Sequence, residues 1–299
     1  MSADPLLTLD GRPTLRVERE FPHPIDKVWR AVTTAEHLGQ WFPSPVEVDL
    51  RPGGPIRFLA FEGGPSASGV VEAVDAPRRL SFTWGDDRLT FELSGNDEST
   101  TFAVVHTFDD RFGAPSFATG WESCLMGLRS VLTGDPLPPP DRGVARHEEL
   151  VHAFGLDVPE VTESHGRWTV RVERQLTCPA EVAWDLWFGK DRETGEQRRA
   201  PGVGEPLTPY MAPDVEIGRM TEVDLHRVLA FDVGPAGGPG DHVRVELGDG
   251  TGHGTRVTLT VTGTEPGERD AAAEMWGTSA IGHLASSAAE WASAQPIDA

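Results

Sequence analysis

Thr14 to Phe21 alternates apolar with charged residues, and the same alternation returns from Val170 onward. A period of two is that of a β-strand with one face toward a core. Pro24 then stands where a helix would start, and Ile25, Val28, Trp29 and Val32 recur at i, i+3, i+4 and i+7, one apolar helical stripe. Ala180, Ala183, Trp184 and Trp187 repeat that stripe. Thr34 is placed to cap a further short helix carrying Leu38 and Trp41, after which Pro43, Pro45 and Pro52-Gly53-Gly54 break the chain. The segments 46–50, 56–61, 69–74, 79–84, 89–93 and 101–108 then read as six strands separated by Gly, Pro, Asp and Asn at hairpin spacing, an antiparallel meander. Phe117, Trp121, Cys124, Leu125, Leu128, Val131 and Leu132 trace one face of a long helix that ends near Gly134. One curved sheet must therefore wrap one helix. A twisted sheet of about seven strands closed around a single helix leaves more volume than side chains easily fill, so a cavity is expected between them.

The pattern occurs twice. Leu15 to Val32 and Val170 to Trp187 align at a constant offset of 155 residues, as Trp29 and Trp184 show, with Arg16/Arg171, Val17/Val172, Glu18/Glu173, Arg19/Arg174 and Pro24/Pro179 also identical. Solenoid repeats run about 20 to 50 residues, so a period this long means two whole domains in tandem, which suits a 299-residue chain. The predicted organisation is a flexible tail over 1–13, a first domain over 14–134, a linker with a short helix over 135–165, and a second, degenerate domain over 166–299. Within the linker, Pro136 to Pro140 is a stiff spacer and Val144 to Phe154 is helical in pattern. In the second copy Gly218, Leu229 and Phe231 match Gly69, Leu80 and Phe82 at an offset of 149, so six residues are lost after the first helix. The loss falls where the first copy has its 46–61 hairpin, and 189–209, rich in charge, Gly and Pro, replaces the second short helix. Val257, Leu259, Val261 and Trp276 restore the 155 offset against Phe102, Val104, His106 and Trp121, with the extra length supplied by 234–241, GPAGGPGD. The second domain thus keeps sheet and helix behind a shorter, more open wall, and reads as a support or lid.

Charge narrows the partners. A formal net charge of −21 argues against nucleic acid, whose phosphates need clustered Lys and Arg, and against anionic membrane surfaces. No run of about 18 apolar residues and no basic start followed by an apolar stretch is present, so no membrane insertion and no signal peptide are expected. Cys124 and Cys178 occupy unrelated repeat positions, which is not a disulfide framework and fits a reduced cytoplasm.

REFPHPIDKVWRAVTTAEHLGQWF (19–42), GVVEAVDAPRRLSFTW (69–84), TTFAVVHTF (100–108) and GWESCLMGLRSVL (120–132), in this order, resemble the SRPBCC or START-related superfamily. They are most similar to the bacterial branch related to the carboxy-terminal domain of the activator of the heat-shock-protein-90 ATPase. The resemblance covers nearly all of residues 14–134. It implies an α+β fold, here two tandem helix-grip domains, each a curved antiparallel sheet wrapped around a long C-terminal helix with two short helices after the first strand. It implies an elongated pocket but little chemistry, because lipid carriers, hormone receptors, polyketide cyclases and co-chaperone domains share the scaffold.

Several residues are candidates for that chemistry. HEELVH invites a metalloprotease reading that fails on geometry, since His147 and His152 are five residues apart rather than four. No zinc spacing occurs elsewhere, and 234–241 lacks the Lys-Ser/Thr of a phosphate loop and reads as a hairpin tip. His106 shares a strand face with Phe102 and Val104, and either orients a ligand or acts as a general base, or is a core histidine bonded to a neighbour. Cys124 reads as a buried thiol. Trp41, Phe58, Phe61, Phe82, Trp84, Phe102, Val104, His106, Trp121, Leu125 and Leu128 form the predicted ligand cavity of the first domain. The expected function is non-catalytic binding of an apolar small molecule, with no cofactor and no metal. Two alternatives stand beside it: a co-chaperone or stress-related module with a protein partner such as a chaperone, and a polyketide-cyclase-like enzyme using His106 in the same cavity.

Overall fold

A computed structural model of the chain describes residues 5–59, 67–137, 139, 141–189, 196–209, 212–252 and 254–296. The chain separates into two compact units that meet in sequence at Asp141 and Arg142. The first contains β1 (Leu7–Leu9), β2 (Arg12–Phe21), α1 (Ile25–Thr33), α2 (Ala35–Leu38), β3 (Val46–Val48), β4 (Pro55–Phe58), β5 (Ala67–Asp75), β6 (Arg79–Trp84), β7 (Asp87–Gly95), β8 (Thr100–Thr107) and α3 (Ala114–Thr133). Its strands form one antiparallel sheet in the order β1-β2-β8-β7-β6-β5-β4-β3. The meander, the two short helices and the long last helix stand where the periodicity predicts them. Where a flexible tail is expected, β1 pairs with β2. The reason is local: Asp10 and Gly11 both take positive φ, 52° and 80°, the turn that matches strand twist in a two-residue hairpin.

Register decides which side chains share the inner face. Leu15 and Val17 of β2 lie opposite His106 and Val104 of β8, which in turn face Leu89 and Phe91 of β7. Phe91 and Leu89 continue the row to Leu80 and Phe82 of β6. Against that row α3 lays Trp121, Leu125, Leu128 and Leu132, all buried.

The second unit holds α4 (Val144–Ala153), β9 (Glu160–Ser164), β10 (Arg167–Gln175), α5 (Ala180–Phe188), β11 (Pro206–Leu207), β12 (Gly218–Asp224), β13 (Val228–Val233), β14 (His242–Asp249) and β15 (Thr255–Gly263). One long helix closes it, running through α6 (Arg269–Ala272), a π-helical stretch (Ala273–Ala280) and α7 (Ile281–Ser293). Its sheet order, β11-β12-β13-β14-β15-β10-β9, reproduces the first without a counterpart of the edge strand β3, and with β4 reduced to the two residues of β11. His165-Gly166, with φ of 53° and 73°, makes the β9–β10 turn at the repeat position of Asp10-Gly11. Residues 234–241 join β13 to β14, the hairpin tip that their glycines and prolines predict.

The sequence does not announce the π-helical stretch, yet its trace is there in retrospect. On α3 the buried residues after Trp121 fall at Leu125, Leu128 and Leu132, whereas after Trp276 they fall at Ile281, Leu284 and Ala288. Each step from the tryptophan is longer by one, which is the single extra residue that a π turn inserts into an α-helix. Gly277 lies within this turn because the helix presses on the sheet there: a Cβ on it would sit 2.6 Å from Pro159 and 3.1 Å from Val172.

Candidate functional site

In the first unit, the predicted cavity residues come together as one packed cluster. Trp41, Phe58, Phe82, Phe102, Val104, Trp121, Leu125 and Leu128 are buried in a single core, and Trp84 is half-buried against it. Phe61 lies outside the described residues. Rings interlock throughout: Phe58 stacks on Trp84 with centroids 4.8 Å apart, Phe82 meets Phe91 at 5.2 Å, and Phe42, a residue the sequence reading omits, touches Trp121 at 5.7 Å. Trp41 donates its indole N–H to the Ala31 carbonyl at 3.0 Å, so its polar atom is satisfied inside the core.

His106 sits in the same interior, 2% exposed. The Trp121 indole N–H donates to Nδ1 at 3.1 Å, and Nε2 lies 2.9 Å from the Asp87 carboxylate. Nδ1 must therefore be the acceptor and Nε2 the protonated nitrogen that donates to Asp87. Both nitrogens are engaged, leaving no free lone pair for a general base. Sequence reasoning found no acid for His106 because Asp87 lies nineteen residues away and reaches it only through β7–β8 pairing. Burial pushes both thiols, Cys124 and Cys178, up to about 12, so neither is an activated nucleophile. His147 is fully buried while His152 is 86% exposed, the divergent faces that five-residue spacing requires. Among the described residues no group of three or more His, Cys, Asp or Glu could hold a metal ion.

The second unit contains a cavity of about 220 Å³. Phe231 and Ile217 approach it from the sheet side, Trp276 and Leu284 from the long helix, Trp187 and Phe188 from α5, and Leu207 from the short edge strand β11. In the first unit, the matching mouth is closed by β3, β4 and the α2 turn, whose Val46, Ile56, Phe58, Trp41 and Phe42 are all buried. The six-residue loss after α5 falls beside this space. Trp276 is fixed by an N–H bond to the Pro239 carbonyl at 3.0 Å and an edge contact to Phe231 at 5.8 Å. The π turn places Trp276 and Ala280 on the cavity wall. Four polar side chains reach the cavity, from Arg198, Thr208, His283 and Ser287. Arg198 is positioned by its segment: its backbone N–H donates to the Gly189 carbonyl at 3.1 Å, and Gln197 bonds to Asp185 and Gly189 at the end of α5. None of these lining residues was a sequence-level candidate. Two of them, Trp276 and Phe231, could have been found by transferring Trp121 and Phe82 through the repeat.

A curved antiparallel sheet closed over a long terminal helix, twice in one chain, defines the helix-grip fold of the SRPBCC class. Residues 22–133 match the family described as activator of Hsp90 ATPase homolog 1-like protein. Among solved structures, CalU16 from Micromonospora echinospora is 25% identical, with half of this chain (50%) and 92% of that one covered at a TM-score of 0.41. EF2215 from Enterococcus faecalis, of unknown function, is 20% identical over 49% of this chain and 87% of its own, TM-score 0.44. DynU16, from the dynemicin biosynthetic locus, is 19% identical over 92% of this chain and 98% of its own, TM-score 0.40. No curated protein matches the chain.

Proposed function

We propose that this protein is a non-catalytic carrier or sensor that holds an apolar small molecule in the sheet–helix cavity of its second unit. The observation that carries the reading is the cavity itself, with apolar side chains from four elements on its walls. Burying apolar ligand surface in such a space supplies binding energy at about 25 cal/mol per Å², before the cost of immobilising the ligand. The blocked nitrogens of His106 and the unreactive thiols support binding without turnover. The two free, un-ionised thiols also support a reducing compartment, the cytoplasm. Among the described residues no helix is long and apolar enough to cross a membrane.

The family match over 22–133 supports a second role for the first unit, contact with a chaperone-type protein partner, since its own core leaves its surface as the part available for recognition.

The test is native mass spectrometry of the chain purified from its own host, followed by calorimetric titration of the emptied protein with 1-octanol. One bound equivalent is expected. Leu284→Trp, which fills the cavity, abolishes uptake. Leu128→Trp, which overpacks the first core, leaves uptake unchanged while costing about 1 to 3 kcal/mol of stability. Octanol binding that survives Leu284→Trp and disappears in Leu128→Trp would move the site to the first unit. No binding by either method would end the reading.

A further inference from the structure

We infer that the ligand of the second-unit cavity is an apolar acid, its hydrocarbon body held by the aromatic wall and its carboxylate by Arg198. This rests on the cavity reading above and adds the ligand's chemical class. Arg198 is half-buried on a mostly apolar wall that it shares with Thr208, His283 and Ser287. Its Nη2 donates to the Thr208 carbonyl at 3.0 Å and to Thr208 Oγ1 at 2.9 Å, and among the described residues Nε and Nη1 have no partner. Among the described residues no Asp or Glu lines the cavity.

That is unusual in this chain. With 47 acidic residues against 26 basic ones, carboxylates are abundant, and partly buried arginines elsewhere have taken them: Arg174 with Glu148 at 2.6 Å, Arg16 with Glu92 at 2.7 Å, Arg256 with Glu173 at 3.1 Å. A guanidinium partly withdrawn from water without a counter-charge is unfavourable unless something else supplies one. Thr208 anchors Nη2, and the Nε–H and Nη1–H groups are left to donate to a carboxylate oxygen. The chain's overall negative charge repels anions at long range, but beyond about 8 Å that field is screened at physiological salt, and among the described residues the cavity wall carries the positive charge of Arg198.

A second observation marks the same place. The π-helical stretch Ala273–Ala280 departs from α geometry where the helix meets the cavity, and such insertions in α-helices occur frequently at functional sites. It shifts Leu284 by one position relative to the pattern of α3, which brings the exposed His283 to the rim beside Ser287. A neutral ligand could accept hydrogen bonds here but would leave the guanidinium charge uncompensated, and a cationic one would be repelled by it.

The size of the acid follows from the space. A volume of 220 Å³ equals the liquid share of about seven waters at ~30 Å³ each, hence a compact molecule with about seven non-hydrogen atoms enclosed. Octanoate and 1-octanol are therefore a matched pair of probes differing in charge. Titrated calorimetrically into the full chain at neutral pH, octanoate is expected to bind at least tenfold more tightly than 1-octanol. Arg198→Gln should abolish that margin by weakening octanoate about tenfold and octanol less than twofold. Arg198→Lys should retain a margin of at least threefold, and melting curves of both variants verify that they are folded. Equal affinity for the two probes in the wild type, or equal weakening of both in Arg198→Gln, would overturn the assignment of an acid while leaving the cavity reading intact. Binding of neither probe would overturn both.

Discussion

His106 promises chemistry that its neighbours withhold. A buried imidazole on an inward strand face is compatible with a general base, but Trp121 donates to one nitrogen and Asp87 accepts from the other, so the side chain is a cross-link between α3, β7 and β8. Its removal leaves an indole N–H and a carboxylate without their partner and opens a small void. His106→Ala is expected to lower stability by about 3 kcal/mol in urea unfolding while octanol affinity stays within twofold. A lost binding site with stability unchanged would restore a functional role to this histidine.

At the scale of elements, α4 shows how a short helix is held. Arg174 of β10 is buried and pairs with Glu148, which also meets His147 at 3.4 Å. Burial pushes the Glu148 carboxyl up, but the His147 hydrogen bond and the Arg174 charge outweigh it and hold the group below its ordinary value of 4.5. A lowered carboxylate value means that the unfolded chain takes up protons first as acid is added, so this contribution is present above about pH 4.5 and is lost as pH falls through the folded value. Glu148→Gln leaves Arg174 without its counter-charge and should cost about 3 kcal/mol at pH 7, with the gap to wild type narrowing in melts below pH 4.5. A constant gap from pH 7 to pH 3 would mean that the pair contributes by packing alone. The terminal helix offers a second test. Deleting Thr278 removes the extra residue of the π turn and restores the four-residue step from tryptophan seen between Trp121 and Leu125. The helix should then close over the sheet as α3 does, keeping its circular dichroism but losing octanol binding at least tenfold.

For the whole molecule, the boundary between the units matters more than their resemblance. The sequence places 144–153 in a linker, whereas α4 packs on α7 and is tied to β10 within the second unit. We expect residues 142–299 to melt cooperatively and residues 160–299 to melt at least 5 °C lower, because the shorter segment exposes Arg174 and the apolar face of α4's partner helix. Identical melts would show α4 to be dispensable.

Alternation of apolar and charged residues, the Pro24 and Pro179 helix starts and the 155-residue repeat determine two sheets and their long helices, because strand and helix periods are properties of the chain itself. The six-residue deletion was also legible, and with it the more open wall of the second copy. What the sequence could not set was where the volume lies. Trp41, Phe58, Phe82 and Trp121 have the composition of a ligand pocket, and that they meet in one buried, interlocked cluster is decided by contacts between distant segments. The same holds for Arg198: whether a guanidinium meets a carboxylate, or faces an apolar space without one, depends on which distant segments fold beside it, and no local pattern records that.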